Sequence, residues 1–138
     1  MRPDSDKGSL ITIGGRDPRV TRSGYYIRKY KLDELPQLIN VFKGDMSLVG
    51  PRPEVRKYVN MYTQEQMEVL KVRPGITSLA SIRYRNENDV LAAASDPEQA
   101  YIEQVMQDKL KLDLEYVKKA GFWYDIKLIF STFNAIRK

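Results

Sequence analysis

Leu32-Asp33-Glu34-Leu35-Pro36-Gln37-Leu38-Ile39-Asn40-Val41-Phe42-Lys43-Gly44-Asp45-Met46-Ser47-Leu48-Val49-Gly50-Pro51-Arg52-Pro53 joins two adjacent acids to an arginine held between prolines. Leu35, Leu38, Ile39 and Phe42 fall at i, i+3, i+4 and i+7, which puts them on one helix face. Pro36 fits only if that helix has just begun, because first-turn N–H groups have no intrahelical partner to lose. The spacing therefore predicts Asp33 as N-cap, Lys43 in the last turn and Gly44 just past the C-terminal end. Asp33 and Glu34 then sit at a positive helix end, where phosphates and their bound metals are organised.

Upstream, residues 1–8 are polar and read as loose. Residues 10–13 are a short strand candidate ended by Gly14-Gly15. Thr21 or Ser23 is placed to cap a short helix through Lys29, and Arg16, Arg19 and Arg22 recur every third residue. Downstream, 45–49 reads as strand or extended chain and 54–62 as helix. Thr63 caps a helix over 64–70, with Gln66 at the third position of a capping box. Arg73-Pro74-Gly75 ends that helix. Alternation over 76–85 predicts a strand, and 87–94 a short helix. Asp96-Pro97 opens a long helix to about Lys119, broken by Gly121. In the terminal segment Phe122, Ile126, Ile129, Phe133 and Ile136 recur every three or four residues. That stripe over 122–136 reads as core-facing, with an amphipathic helix lying in a membrane interface as the alternative.

The 138 residues form most simply one domain, able to bury roughly 68–70% of its unfolded surface. At 42% hydrophobic and 30% charged the chain is globular. It contains no cysteine and no histidine. Disulfides, thiolate metal sites and the Ser-His triad are thereby excluded. Acid–base or nucleophilic work must fall to carboxylates, Lys, Tyr or hydroxyls. The net charge of +5 is concentrated in residues 1–31, which hold eight Lys/Arg against three Asp. That basic third points to phosphate-bearing partners or an anionic membrane surface. No run approaches the roughly 18–20 apolar residues of a spanning helix.

Asp33-Glu34 alone would be read as helix-start capping, and Gly-Pro-Arg-Pro alone as a rigid turn. Together they describe one reaction. A carboxylate attacks phosphorus and holds an acyl-phosphate. A divalent metal neutralises the charge between the two anions. Arginines hold the leaving diphosphate. Arg28 lies five residues before Asp33, and Arg52, its backbone limited by Pro51 and Pro53, presents a fixed fork suited to phosphate. With no histidine, Glu34 is the natural group to manage protons.

Gly-Gly-Arg-Asp-Pro-Arg-Val-Thr-Arg-x-Gly, the quoted Leu-Asp-Glu to Pro-Arg-Pro run and Val-Arg-Pro-Gly-Ile-Thr resemble, in that order, the bacterial sugar transferases. These are the monotopic polyprenyl-phosphate phosphoglycosyl transferases. The likeness is close over about residues 10–85 and one of pattern beyond. It implies an α/β fold, mostly helical with a few short strands, forming one compact catalytic domain over 1–138 with amphipathic interfacial helices. It also implies transfer of a sugar-1-phosphate from a UDP-sugar to undecaprenyl phosphate with release of UMP, starting a surface glycan. By residue, the resemblance makes Asp33 the nucleophile and a Mg²⁺ ligand, and Glu34 its partner. Arg52 of the Pro51-Arg52-Pro53 motif contacts the diphosphate and Arg28 supports the same site. The expected location is the cytoplasmic face of the bacterial inner membrane, although the hydrophobic re-entrant helix that family members carry before this region is not in the sequence. A silent domain serving as scaffold for glycan assembly is the alternative. A nucleic-acid module built on residues 16–31 would leave Asp33, Glu34 and Arg52 without a role, so nucleic acid is not an expected partner. A second copy of the chain is a further candidate partner for the helical C-terminal third.

Overall fold

A parallel pair of three-residue strands organises the chain. β1 (Ser47–Val49) runs beside β2 (Gly75–Thr77), with Ser47 opposite Gly75 and Val49 opposite Thr77. Parallel strands need a crossover connection, and here it is residues 50–74. The structure, a computed structural model, describes residues 20–29 and 32–137. The strand predicted at 10–13, Arg16, Arg19 and the segment 1–8, read as loose from its composition, lie outside the described residues.

Before β1 stand α1 (Arg22–Lys29), a 3-10 turn at Leu32–Glu34 and α2 (Gln37–Lys43). Thr21 accepts the Gly24 N–H at 3.1 Å, one of the two capping roles foreseen. The single helix expected from Asp33 is corrected. The chain turns once as 3-10, and α2 starts only after Pro36, which occupies the N-cap position with no side-chain cap bond. Proline donates no N–H and fixes φ, so it is tolerated at a helix start and divides the two turns. Gly44 closes α2 at φ 84°, its N–H returning to Asn40 and Val41 carbonyls. That left-handed conformation is why glycine stands there.

The crossover contains α3 (Arg56–Val59) and a 3-10 segment at Gln66–Lys71. Both are shorter or tighter than the helices expected there. The capping box is present: Thr63 N–H donates to Gln66 Oε1 at 2.9 Å and Gln66 N–H to Thr63 Oγ1 at 3.3 Å. The strand expected over 76–85 ends at Thr77. Ser78 takes the Ser81 N–H at 2.9 Å and starts α4 (Leu79–Arg83). Alternation over so few residues fits helix as well as strand, and the serine cap decides for helix.

α5 (Glu87–Ala92) leads to Asp96, which caps the Glu98 and Gln99 N–H groups at 3.1 and 3.0 Å, with Pro97 at the first helical position. The expected long helix follows as α6 (Pro97–Ala100), a π-helical stretch at Tyr101–Val105 and α7 (Met106–Lys119). α8 (Phe122–Arg137) begins just after Gly121. The main core gathers Tyr58, Val69 and Leu91 around Tyr101, Val105, Met106 and Leu110 of the long helix. A smaller cluster joins Val49, Tyr116 and Leu128, so α7 and α8 are both fastened to β1. At roughly 1.5–3 kcal/mol per fully buried large apolar side chain, these two clusters fix the frame. The fold is a mostly helical α/β domain, as expected.

Only part of the α8 stripe is core. Leu128 is buried and Ile126 and Ile129 are half-buried, but Phe122, Phe130 and Phe133 are exposed and Trp123 is 81% exposed. Leu35, just before α2, and Leu38, Ile39 and Phe42 on it are all exposed, Phe42 at 93%. Both helices pack on β1 and share clefts: Leu38 and Phe133 line one, Val41 and Phe122 another. Among the described residues no helix is long and apolar enough to cross a membrane.

Candidate active site

Two glycines set the loop that carries Arg52. Gly50 N–H donates to the Thr77 carbonyl at 3.0 Å, and Gly75 N–H donates to the Pro51 carbonyl at 2.9 Å. The backbones touch: a Cβ on Gly75 would lie 2.1 Å from Gly50 N, and one on Gly50 would lie 2.5 Å from the Arg73 carbonyl oxygen. Pro51 is buried by this clamp, while Arg52 and Pro53 emerge from it. Pro51 is thus a scaffold residue, and Pro53 lines the cavity described next.

Arg52 Nη2 donates to Glu34 Oε1 at 3.0 Å across 18 residues of sequence. This pair joins the 3-10 turn of Leu32–Glu34 to the strand-clamped loop. Its side chains are 43% and 18% exposed, so its energetic weight is small and its role positional. A guanidinium has five N–H donors. Among the described residues Glu34 is the one hydrogen-bond partner of this guanidinium. Asp33 precedes Glu34 on the same turn and is exposed. The Arg28 side chain lies outside the described residues.

Two neighbouring carboxylates offer hard oxygen ligands. Mg²⁺ commonly takes one or two protein carboxylates and completes its shell with phosphate oxygens and water. Among the described residues no group of three or more His, Cys, Asp or Glu side chains is arranged for a metal. The Asp33-Glu34 pair therefore fits an ion completed by a phosphorylated ligand better than one held in a protein cage.

Glu34, Arg52 and Pro53 line one side of a cavity of about 1160 Å³. Ligand sites are commonly about 300–1,000 Å³, so a nucleotide-sized molecule is accommodated. Residues of α3, α5 and the long helix line it as well. Glu54 accepts a hydrogen bond from the Tyr101 hydroxyl, and Lys109 pairs with Glu87 at 3.0 Å. Burial, then the Glu54 hydrogen bond, raises the Tyr101 hydroxyl far above its ordinary range. Burial, then the charges of Glu54 and Asp113, does the same for Tyr62.

Asp113, on α7, is buried at 6% exposure, and its Oδ1 has no hydrogen-bond partner. Burial pushes its carboxyl up to about 7, against the opposing charge of Lys109. Glu54 and Asp113 were not picked out from the sequence. Glu54 directly follows the Pro-Arg-Pro motif, and Asp113 falls on the buried stripe Met106, Leu110 and Tyr116, where a carboxylate is out of place. That misfit was the available signal.

A stability prediction follows from Asp113. The folded carboxyl keeps its proton up to about pH 7, whereas the unfolded one loses it near pH 4. Between those values the unfolded chain binds fewer protons, so stability falls as pH rises. Asp113→Asn should therefore gain stability over wild type progressively from pH 4 to 7, reaching on the order of 3–4 kcal/mol and levelling above. Urea unfolding at pH 4, 5.5, 7 and 8 checks this; a difference that does not change with pH contradicts it.

Arg52 and the half-buried Glu34 that it bonds thus line the cavity, with the exposed Asp33 next in the chain. A family profile described as bacterial sugar transferase matches residues 1–138, and the chain belongs to that family. It is 42% identical over 120 residues to the UDP-glucose:undecaprenyl-phosphate glucose-1-phosphate transferase of Escherichia coli (strain K12), covering 84% of this chain and 23% of the relative. It is 41% identical over 123 residues to the UDP-N-acetylgalactosamine-undecaprenyl-phosphate N-acetylgalactosaminephosphotransferase of Aeromonas hydrophila, covering 87% and 26%. A Bacillus subtilis (strain 168) protein, an uncharacterized sugar transferase, is 39% identical over 130 residues, covering 94% and 55%. The chain thus spans about a quarter of the first two relatives and about half of the third.

Proposed function

We propose that this domain moves a sugar-1-phosphate from a UDP-sugar to undecaprenyl phosphate, releasing UMP, by a two-step path through Asp33. The observation that carries the reading is the Arg52–Glu34 pair at 3.0 Å beside exposed Asp33, at the edge of a cavity of nucleotide size. Family membership and the activities for which the relatives are named support it.

In the first step an Asp33 carboxylate oxygen attacks the phosphorus that carries the sugar. The bond from that phosphorus to the oxygen bridging to UMP breaks, and UMP leaves with the electron pair. In the second, an oxygen of undecaprenyl phosphate attacks the same phosphorus and the Asp33 carboxylate is restored. Glu34 takes the proton of the acceptor phosphate. Arg52 spreads hydrogen bonds over the donor diphosphate, and Arg28 supports the same anion. Asp33 would hold a Mg²⁺ ion, which when bound would supply charge neutralisation between the two anions. An aspartyl intermediate predicts exchange of labelled UMP into UDP-sugar with no acceptor present. Exchange with at least one UDP-sugar is the expected result, and strict dependence on undecaprenyl phosphate contradicts the two-step path.

Arg52→Ala should weaken donor binding about 10–100-fold, the loss of one or two charge-assisted hydrogen bonds. Unfolding should be almost unchanged, because an exposed ion pair contributes about 0–1 kcal/mol. Calorimetric titration with UDP-glucose checks this, and an unchanged affinity removes Arg52 from the site.

The acceptor is a lipid, and the outward aromatic residues of α8 with Phe42 of α2 form the surface to meet it. Trp and Phe on the exposed side of an amphipathic helix suit the interfacial plane of a bilayer. A nucleotide-sugar donor places that bilayer surface on the cytoplasmic side. The chain should float with liposomes containing anionic lipid, and the Trp123→Glu/Phe130→Glu variant should lose at least about tenfold of that binding. Equal flotation of variant and wild type contradicts the assignment of this face.

A further inference from the structure

Besides Glu34, the cavity lining carries three carboxylates, from Glu54, Glu87 and Asp113. Two are engaged: Glu54 by the Tyr101 hydroxyl and by the Val55 N–H, Glu87 by Lys109. Lys109 also lies 5.4 Å over the Tyr101 ring, so its charge is held on the Glu87 side. Asp113 is the exception. It is more than nine-tenths buried, lines the cavity, and its Oδ1 finds no partner. A buried carboxyl oxygen left without a hydrogen bond is costly, and such groups in a folded protein call for an explanation.

The chemistry of the wall restricts what meets this oxygen. Lys109, the cation that acts on Asp113, is already held by Glu87, so the diphosphate is better served by the five-donor fork of Arg52. The group that suits Asp113 is uncharged and carries hydrogen-bond donors. Tyr62, its hydroxyl kept protonated by burial and by the charges of Glu54 and Asp113, lines the same cavity and contributes a neutral ring.

We infer that Asp113 is a specificity-determining residue whose buried carboxyl accepts hydrogen bonds from an uncharged ring of the nucleotide-sugar donor, Tyr62 forming part of the same subsite. This rests on the reading of the cavity as the donor site. Two parts of a donor have the required chemistry: the hydroxyls of its sugar, and the imide N–H or ribose hydroxyls of its nucleoside. A subsite that pairs polar groups discriminates strongly, because an analogue lacking the partner leaves the protein group buried and unpaired.

The test is calorimetric binding of UMP, UDP-glucose, UDP-galactose and UDP-N-acetylgalactosamine to wild type, Asp113→Asn and Asp113→Leu, with unfolding curves for each. The leucine variant should lose at least about tenfold affinity for the preferred UDP-sugar, and the asparagine variant, which keeps one acceptor, should lose less. A loss confined to UDP-sugars, with preference among epimers flattened, assigns the subsite to the sugar. An equal loss for UMP assigns it to the nucleoside. Should the leucine variant fail to fold, the asparagine variant carries the comparison alone. Wild-type binding with unchanged affinity and preference in the folded variants overturns the role of Asp113 and leaves the donor site standing. No binding of any probe to wild type overturns both.

Discussion

Asp33→Asn will abolish UMP exchange, lowering it by at least about a thousandfold, the scale expected when a covalent nucleophile is removed. The amide has nearly the size of the carboxylate but lacks the charge and lone-pair basicity needed to attack phosphorus. The fold will not register the change. Asp33 lies exposed on the 3-10 turn, and the helix it was expected to cap begins after Pro36 with no side-chain cap bond. Its unfolding free energy should stay within about 0.5 kcal/mol of wild type, as for an ordinary surface substitution. That separation of effects gives the variant its force: Asn caps a helix about as well as Asp, so lost exchange reports chemistry and not capping. Exchange retained at wild-type rate removes Asp33 as nucleophile.

Gly75→Ala will damage fold and site together. The new Cβ would meet Gly50 N at 2.1 Å, Gly50 O at 2.6 Å and the Val49 carbonyl carbon at 2.6 Å. All three are backbone atoms, so no side chain can swing aside. The strands must separate, at a cost of about 2–4 kcal/mol. Separation also breaks the Gly75 N–H to Pro51 carbonyl bond that fixes the loop before Arg52. Donor affinity should therefore fall in the folded fraction at least as far as in Arg52→Ala, in contrast to that variant's unchanged stability. Wild-type unfolding and donor titration in Gly75→Ala would contradict the account of the clamp.

Local punctuation was readable from the chain because its causes are local. Gly44 closes α2, Thr63 and Gln66 exchange bonds, and Asp96-Pro97 opens the long helix, each through atoms within a few residues. The family resemblance is borne out by the family match. What sequence could not supply is which way a face points. Leu35, Leu38, Ile39 and Phe42 lie on one side of the helical segment, but periodicity does not say whether core or surroundings cover them, and they face outward. The α8 stripe divides for the same reason, with Ile126 and Ile129 half-buried and Phe122 and Phe133 outward. Residues 76–85 were misread because short alternation leaves strand and helix degenerate until the Ser78 cap is seen. Arg52 and Glu34 were each visible, but their 3.0 Å contact depends on strands pairing 28 residues apart in sequence.

The central claim is a covalent phosphosugar on Asp33, and intact-protein mass spectrometry reads it directly. Wild type and Asp33→Asn would each be mixed with Mg²⁺ and a panel of UDP-sugars, then quenched in acid without acceptor. The account predicts a mass increase of one phosphosugar on wild type with at least one donor, located by peptide mapping to Asp33 and absent from the variant. An adduct of the same mass in Asp33→Asn, or no adduct on a wild-type chain shown to bind the donor, would contradict it.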